Sequence, residues 1–230
     1  VFTSVTPNEG KTTTAIVTAI AMAEQGKRVC IVDCDLRRPL VMKYLGLKNA
    51  PGVTDVVGHR VPLSDTIIRT DVPNLYAIDA GSRQPNQTEV LSTKRFEKMA
   101  QVLAEEFDFV IFDSTPLGSF IDSALVSIHT DGVILVIEHG RVRFPYALKV
   151  IDQIHKVGSR IFGVIVNNVD LKGTQYGYYG YYGHYGYYGY QQYNQPEQRR
   201  GREDTAAGAG SRKKDEDVQD IGILHTAGQE

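Results

Sequence analysis

The chain begins with a short apolar segment that leads directly into a glycine-containing phosphate-loop pattern, and this combination restricts its possible folds most. Residues 5–12 read VTPNEGKT and end in the triplet Gly10-Lys11-Thr12. Backbone N–H groups of such a turn can surround nucleotide phosphates, while Lys11 reaches the β and γ oxygens and the Thr12 hydroxyl binds Mg²⁺. The strict pattern has glycine where this chain has Val5, so the prediction needs support from other segments.

Two further apolar segments provide this support, because each of them ends in carboxylates. Residues 28–32 are predicted to form a strand that leads to Asp33 and Asp35, and the apolar residues 109–112 precede Asp113. Open α/β sheets bind ligands at the carboxyl ends of their strands. The alternative is a simple turn with unrelated, solvated aspartates. Three elements in this order favour a nucleotide site over that alternative.

Strand-like and helix-like segments alternate through the first 172 residues. Apolar segments predict strands at residues 28–32, 75–80, 107–112, 132–137 and 161–166. Helices are predicted from the phosphate loop to Gly26, briefly after Pro39, and at residues 53–57, 88–105 and 145–155. Continuous rather than alternating apolar segments indicate a mostly parallel sheet covered on both faces. The predicted fold is therefore a doubly wound α/β domain of the P-loop NTPase class.

The composition changes abruptly after residue 172. Residues 173–193 contain ten of the thirteen tyrosines, with glycine at every third position from 177 to 189. Residues 194–230 are charged and rich in small side chains. Few aliphatic residues are available for a core, so both segments are predicted to be disordered. The predicted organisation is a P-loop domain (1–172), a tyrosine-rich segment (173–193) and a charged tail (194–230).

The repeated tyrosines have two interpretations. They form either an adhesive low-complexity segment or a set of phosphate acceptors on a mobile tether, and the nucleotide site favours the second. The candidate acceptors are Tyr176, Tyr178, Tyr179, Tyr181, Tyr182, Tyr185, Tyr187, Tyr188, Tyr190 and Tyr193.

Charge and apolar content limit the possible partners. The net charge is −2, and residues 191–230 account for all of it, so no basic field predicts a nucleic-acid partner. Cys30 and Cys34 lie about 13 Å apart along a predicted strand, too far to form a disulfide with each other. No apolar segment is long enough to span a membrane. Because Val1 already begins a strand, the chain is expected to be part of a longer protein.

These features resemble the cytoplasmic catalytic domain of the bacterial tyrosine kinases that regulate capsular and exopolysaccharide synthesis. The matching segments are residues 4–12, IVDCDLRRP at 31–39, residues 81–89, residues 110–116 and the tyrosine cluster. The Arg-Arg-Pro sequence and the tyrosine cluster are absent from most of the wider MinD/ParA group of ATPases. Asn8 and Ser114-Thr115-Pro116 are variations on the family pattern, which usually has Gly and Thr-Pro-Pro there.

The resemblance implies an ATP- and Mg²⁺-dependent protein-tyrosine autokinase that phosphorylates the tyrosine cluster of a neighbouring copy. It implies a ring-shaped homo-oligomer, a membrane-spanning polysaccharide co-polymerase or activator, fused upstream or separate, and a cognate tyrosine phosphatase. The implied location is the cytoplasmic face of the cell membrane. The alternative is a MinD/ParA-like nucleotide-switch ATPase that acts by dimerisation. Such ATPases carry a signature lysine where this chain has Thr6.

The expected site residues fall into three overlapping sets. The expected catalytic residues are Lys11, Asp33, Asp35, Arg37, Arg38 and Asp113, and the expected metal ligands are Thr12, Asp35 and Asp113. The expected nucleotide-binding residues are Pro7, Asn8, Glu9, Gly10, Lys11, Thr12, Thr13 and, by resemblance, Asn167. A tyrosine hydroxyl titrates near pH 10, so it needs a base or cationic neighbours. Asp33 is the candidate base, and Arg37 or Arg38 is expected to stabilise negative charge unless both are only solvated.

Overall fold

The computed structural model describes residues 1–170, so the tyrosine-rich segment and the charged tail lie outside the described residues. The strands are β1 (Phe2–Ser4), β2 (Val29–Asp33), β3 (Ile68–Arg69), β4 (Leu75–Ile78), β5 (Phe109–Asp113), β6 (Val133–Glu138) and β7 (Ile161–Asn167). The α-helices are α1 (Lys11–Glu24), α2 (Val41–Tyr44), α3 (Val53–Val57), α4 (Gln87–Leu91), α5 (Lys94–Glu106), α6 (Asp122–Ser127) and α7 (Phe144–Lys156). None of the helices in this part of the chain is both long and apolar enough to cross a bilayer.

The strands form one sheet in the order β3-β4-β2-β5-β1-β6-β7. Neighbouring strands are parallel except for β3 and β4, which pair antiparallel at one edge. The predicted, mostly parallel sheet is therefore confirmed, and the two-residue strand β3 was not predicted. Asp33 at the end of β2 is the register partner of Asp113 at the end of β5. The two carboxylate segments and the phosphate loop after β1 thus meet at one edge of the sheet.

Helices cover both faces of the sheet. Val29 and Ile31 of β2 belong to the apolar cluster that contains α1, whereas Cys30 and Val32 belong to the cluster that contains α5. Every residue of β2 is buried, which explains why its apolar sequence is continuous rather than alternating. Cys30 and the buried Cys34 are both free thiols, as their spacing predicted.

The prediction of a single helix over residues 88–105 is wrong in one respect, because this segment forms two helices, α4 and α5. Thr93 separates them by capping α5, where its hydroxyl accepts a hydrogen bond from the Phe96 backbone N–H at 3.2 Å. Helix α6 was not predicted at all. It buries the polar side chains of Asp122, Ser123 and Ser127, so its sequence has no apolar periodicity.

A buried carboxylate, Asp55, connects α3 to the loop that follows β4. Its Oδ2 accepts hydrogen bonds from the backbone N–H groups of Gly52 at 3.1 Å and Ser82 at 2.9 Å. Its Oδ1 accepts a hydrogen bond from Arg60 Nη1 at 3.2 Å. Gly81 has a φ of 83°, and a Cβ there would lie 2.4 Å from Asp55 Oδ2. Asp55 therefore determines where the loop over residues 81–89 begins.

We expect Asp55→Asn to destabilise the fold in a pH-dependent manner. Burial alone would raise the pKa of Asp55, but hydrogen bonds from Ser82, Gly52 and Arg60 outweigh it and hold the pKa below its ordinary value. A lowered folded-state pKa stabilises the protein above the unfolded pKa of about 3.9, and this contribution disappears as the pH falls through the folded pKa. At pH 7 the substitution should therefore lower the free energy of unfolding by about 1–3 kcal/mol.

Thermal melts of the wild type and the variant at pH 7 and at about pH 3 measure this effect. The difference between the two proteins should shrink at the lower pH. Asp65→Asn, at an exposed position, is the control and should have little effect at either pH. An equal deficit at both pH values would contradict the assigned role of the ionised carboxylate.

Candidate functional site

The phosphate loop between β1 and α1 is held from inside by Glu9, whose side chain is completely buried. Its carboxylate accepts hydrogen bonds from the Thr6 backbone N–H and, at 3.2 Å, from the Glu138 backbone N–H at the end of β6. The sequence prediction placed Glu9 among the nucleotide-binding residues. In the structure its side chain binds the loop to the sheet, and its contribution to a nucleotide is therefore through the backbone.

Gly10 caps α1 with a left-handed conformation, at a φ of 88°. A Cβ at this position would lie 2.1 Å from Asn167 Nδ2, so a larger residue would be both strained and in collision. Asn167 ends β7, and its amide donates a hydrogen bond to the Glu9 carbonyl at 3.0 Å. The predicted contact between Asn167 and adenine stays a prediction, while its contact with the phosphate loop explains why glycine is needed at position 10.

Three of the predicted residues, Thr12, Asp35 and Asp113, converge around the Lys11 ammonium group. Its Nζ lies 3.0 Å from Asp35 Oδ2 and 3.5 Å from Asp113 Oδ2. It also lies 3.2 Å from the Thr12 hydroxyl, which donates a hydrogen bond to Asp113 Oδ2 at 2.7 Å. Lys11, Thr12, Asp35 and Asp113 are all buried. A phosphate group that contacts Lys11 would therefore have to replace these ion pairs.

The carboxylates in this cluster outnumber the single ammonium group. Burial raises the pKa of Asp113 to about 6, although Lys11 and Thr12 act in the opposite direction. Burial and then Asp113 raise the pKa of Asp33. Burial lowers the pKa of Lys11, but Asp113 and Asp35 outweigh it, so the net shift is upward. A divalent cation would relieve this excess of negative charge, and the hydroxyl and carboxylate oxygens of Thr12, Asp35 and Asp113 are the ligands that Mg²⁺ prefers.

A cavity of about 380 Å³ opens beside the cluster, within the usual size range of small-molecule sites. Its lining residues are Pro7, Asn8, Gly10, Lys11, Thr12, Thr13, Asp35, Arg37, Arg38, Leu40, Tyr44, Pro116, Ser119 and Phe120. Most of the predicted nucleotide-binding residues therefore border one space. Tyr44 and Phe120, which the sequence analysis did not assign to the site, add two partly exposed aromatic rings to it.

Asp33 lies behind the lining of this cavity and is completely buried. Its Oδ1 accepts a hydrogen bond from the Asp35 backbone N–H at 3.1 Å. Its Oδ2 accepts hydrogen bonds from the backbone N–H groups of Leu40 and Val41, each at 2.9 Å. Its burial away from the cavity and these three contacts favour a positioning role over the predicted role as base. The carboxylate that does border the cavity is Asp35.

The two arginines after Asp35 have different surroundings. Arg37 forms an ion pair with the buried Asp122, in which Nε lies 2.8 Å from Oδ2. Arg38 is exposed, and its guanidinium has no ion pair among residues 1–170. Asp122 was missed by the sequence analysis, because an isolated aspartate in an unpredicted helix carries no recognisable signal.

Comparisons with known proteins agree with this geometry. A family model described as an AAA domain matches residues 8–169. Tyrosine-protein kinase CpsD of Streptococcus agalactiae is 33% identical over 76% of this chain and 77% of its own length. The crystal structure of the VpsO kinase domain has a TM-score of 0.70 and 32% identity, covering 73% of this chain and 83% of that one. The septum site-determining protein MinD of Pyrococcus horikoshii OT3, solved with Mg-ADP, has a TM-score of 0.62 and 24% identity. The match covers 71% of this chain and 67% of that one, and this likeness shows the fold alone.

We expect Asp33→Asn to destabilise the free protein. Three backbone N–H groups donate to this carboxylate, whereas an amide offers one oxygen and turns a donor toward at least one of them. The unpaired donor should lower the free energy of unfolding by about 1.5–3 kcal/mol, and relief of the repulsion from Asp113 should offset only part of this loss. Asp35→Asn is the comparison variant, since its side chain borders the cavity. A melting temperature of Asp33→Asn equal to that of the wild type would contradict the positioning role and return Asp33 to candidacy as the base.

Proposed function

The chain belongs to the bacterial tyrosine-protein kinases of the P-loop ATPase fold, and we propose that it transfers the γ-phosphoryl group of ATP to tyrosines of residues 176–193. The observation that supports this most is the convergence of Lys11, Thr12, Asp35 and Asp113 beside the cavity. Phosphoryl transfer requires neutralisation of phosphate charge, an acceptor in line with the leaving group and a way to remove the acceptor's proton. Each requirement has candidate residues at this site.

Charge neutralisation falls to Lys11 and the backbone N–H groups of the phosphate loop. The ammonium group is held within 3.5 Å of two carboxylates, so it lies at the cavity before the nucleotide arrives. Mg²⁺ would be held by Thr12 and Asp113 and, through water, by Asp35, and it would supply the remaining positive charge on the β and γ phosphates. In this proposal Lys11 would exchange its carboxylate partners for phosphate oxygens, and Asp35 would keep an oxygen free of the metal.

Removal of the phenolic proton is assigned to Asp35 rather than to Asp33. Asp35 borders the cavity, whereas Asp33 is completely buried and does not border it. Asp33 then acts as a positioning residue, since it fixes the loop that carries Asp35. The cationic Arg37 and Arg38 border the same cavity and stabilise the charge that develops on the phenolic oxygen.

Tyrosines within the described domain are poor candidates for the acceptor. The Tyr146 hydroxyl donates a hydrogen bond to the Gly118 carbonyl at 2.9 Å. Tyr76 lies near the start of β4, whereas the phosphate loop and the carboxylates lie at the ends of their strands, and its ring packs against Phe107. Tyr44 belongs to the cavity itself. The ten tyrosines of residues 176–193, supplied by a neighbouring copy, are therefore the proposed acceptors.

By resemblance to its family, the chain is proposed to regulate capsular or exopolysaccharide synthesis and export from the cytoplasmic face of the membrane. Its proposed partners are further copies in a ring, a membrane-spanning co-polymerase or activator and a tyrosine phosphatase. Each phosphotyrosine adds about −1.5 to −2 charges at neutral pH. Several of them near the carboxylates of an adjacent copy would weaken the contact between copies, so phosphorylation would end the association that permits it.

Lys11→Met tests the nucleotide site. Because the lysine charge serves the phosphates, we expect ATP affinity to fall by about 10–100-fold, and tyrosine phosphorylation to be lost. Calorimetry measures the affinity, and circular dichroism verifies that the fold is retained. The matched control is Lys149→Met at an exposed position of α7, which should bind ATP normally. Undiminished ATP affinity of Lys11→Met would refute the assignment of this loop.

A mixing experiment tests both the acceptors and transfer between copies. The donor carries all ten tyrosines of residues 176–193 as phenylalanine, so it should bind ATP without phosphorylating itself. The acceptor is Lys11→Met with its tyrosines intact. Phosphate should appear on the acceptor only when the two are mixed, and mass spectrometry should locate it within residues 176–193. Phosphate found mainly at Tyr44, Tyr76 or Tyr146, or an unmodified acceptor, would contradict the proposed route.

A further inference from the structure

Two residues outside the cavity lining, Asp122 and Thr88, bind the guanidinium of Arg37. Arg37 Nε donates to Asp122 Oδ2 at 2.8 Å, and Arg37 Nη2 donates to Asp122 Oδ1 at 3.4 Å. The same Nη2 donates to the Thr88 hydroxyl at 3.0 Å, which in turn donates to Asp122 Oδ1 at 2.7 Å. The three side chains form a closed triangle that joins the loop after β2 to α4 and α6.

Burial distinguishes this triangle from a surface salt bridge. The Asp122 side chain is 1% exposed, and that of Arg37 is 30% exposed. A carboxylate removed from water to this extent is costly without a partner, so it strongly favours the arginine rotamer that pairs with it. The planar guanidinium, bound through two of its nitrogens, has a defined orientation. Arg38, which borders the same cavity, is exposed and has no such partner among residues 1–170.

The triangle leaves one nitrogen of Arg37 and one aromatic ring available to a ligand. Within residues 1–170, Arg37 Nη1 has no hydrogen-bond partner. The Arg37 Cζ atom lies 4.2 Å from the centroid of the Phe120 ring, in cation–π contact. Phe120 is 38% exposed and borders the cavity together with Arg37. An apolar ring surface and a fixed cationic donor therefore lie side by side.

This pairing matches the chemistry of a phenol better than that of water or of a serine hydroxyl. A tyrosine ring can pack on an aromatic face, and the oxygen at its end becomes negative during transfer. We propose that Asp122 and Thr88 are positioning residues that hold Arg37 and Phe120 as the binding surface for the acceptor tyrosine. The inference rests on the proposed kinase function and adds to it the residues that select and orient the acceptor.

The transfer step can be written with its atoms balanced. The phenolic proton passes to the Asp35 carboxylate, and the phenolic oxygen forms a bond to the γ-phosphorus. The bond from that phosphorus to the bridging oxygen breaks, and ADP leaves with the electron pair. Arg37 takes part only as a hydrogen-bond donor and a positive charge, since a guanidinium has no acceptor atom. Loss of its orientation should therefore impair acceptor binding and transfer while leaving ATP affinity largely unchanged.

The test uses the mixing assay with full-length chains. Asp122→Asn and Thr88→Val are introduced separately into the donor whose ten tyrosines are phenylalanine, and kcat and KM are measured with the Lys11→Met acceptor. Loss of one charge-assisted hydrogen bond should lower kcat/KM for the acceptor by about tenfold in Asp122→Asn, with less effect in Thr88→Val. The dissociation constant for ATP should stay within about twofold of that of the parent donor.

Thr66→Val in the same donor is the matched control. It removes another buried hydroxyl, which donates to the Leu63 carbonyl at 2.8 Å, but it lies outside the cavity lining and outside the triangle. It should lower the melting temperature without changing kcat/KM for the acceptor. A loss in Asp122→Asn that the control reproduces would reduce the triangle to a general contribution to stability and overturn the inference.

A double-mutant cycle with Arg37→Lys tests whether Asp122 acts through Arg37. If it does, the combined variant should lose no more activity than Arg37→Lys alone, rather than the product of the two losses. Any of three results would overturn the proposal. The first is a combined variant whose loss of kcat/KM equals the product of the two single losses. The others are an unchanged kcat/KM in Asp122→Asn and a loss of ATP affinity that parallels the loss of kcat/KM. If circular dichroism shows that Asp122→Asn does not fold, Thr88→Val decides by the same criteria. Failure of the parent donor to phosphorylate the acceptor would instead refute the proposed function.

Discussion

The pairing of Asp35 and Asp113 with the Lys11 ammonium group, with the buried Asp33 nearby, is the interaction on which the rest of the site depends. It follows from topology, because β2 and β5 are parallel neighbours and their last residues, Asp33 and Asp113, are register partners. The phosphate loop reaches the same edge because β1 pairs with β5 on its other side. Burial then opposes ionisation, as the raised pKa of Asp113 shows. A site built in this way gains stability whenever a cation enters it, so metal and nucleotide binding are coupled to its charge balance.

The parts that could be predicted from the sequence are those determined by local pattern. Strands β2, β5 and β6 have continuous apolar sequences. Asp33 and Asp113 end β2 and β5, and Lys11 begins the helix after the phosphate loop, so their convergence followed from the parallel order. The roles of Asp122 and Glu9 could not be predicted, since they depend on contacts between distant positions. Arg37 and Asp122 are 85 residues apart, and Glu9 and Glu138 are 129 apart. The division of the predicted helix over residues 88–105 did have a local signal, the capping preference of Thr93, which the apolar periodicity concealed.

The lining of the cavity also bears on whether the phosphate acceptor is a tyrosine, as in a kinase, or water, as in an ATPase. Both reactions need a phosphate loop and carboxylates that hold a cation. A water molecule needs no apolar surface, whereas here Phe120 and Tyr44 are exposed to 38% and 53% beside the phosphate loop. Two aromatic faces beside a polar site offer a surface on which the ring of an organic ligand can pack. The aromatic rings therefore favour an organic acceptor over water.

The residues that border the cavity are held in place by three buried carboxylates that do not border it themselves. Glu9 binds the phosphate loop, Asp33 binds the loop that carries Asp35, and Asp122 binds Arg37. Each of these carboxylates is at most 1% exposed and accepts hydrogen bonds on both oxygens. A neutral amide cannot replace such a group without turning a donor toward a donor, so the charge itself determines the geometry. The same low-dielectric surroundings that make these carboxylates costly also strengthen every contact they make, which keeps the reacting groups in place before any ligand binds.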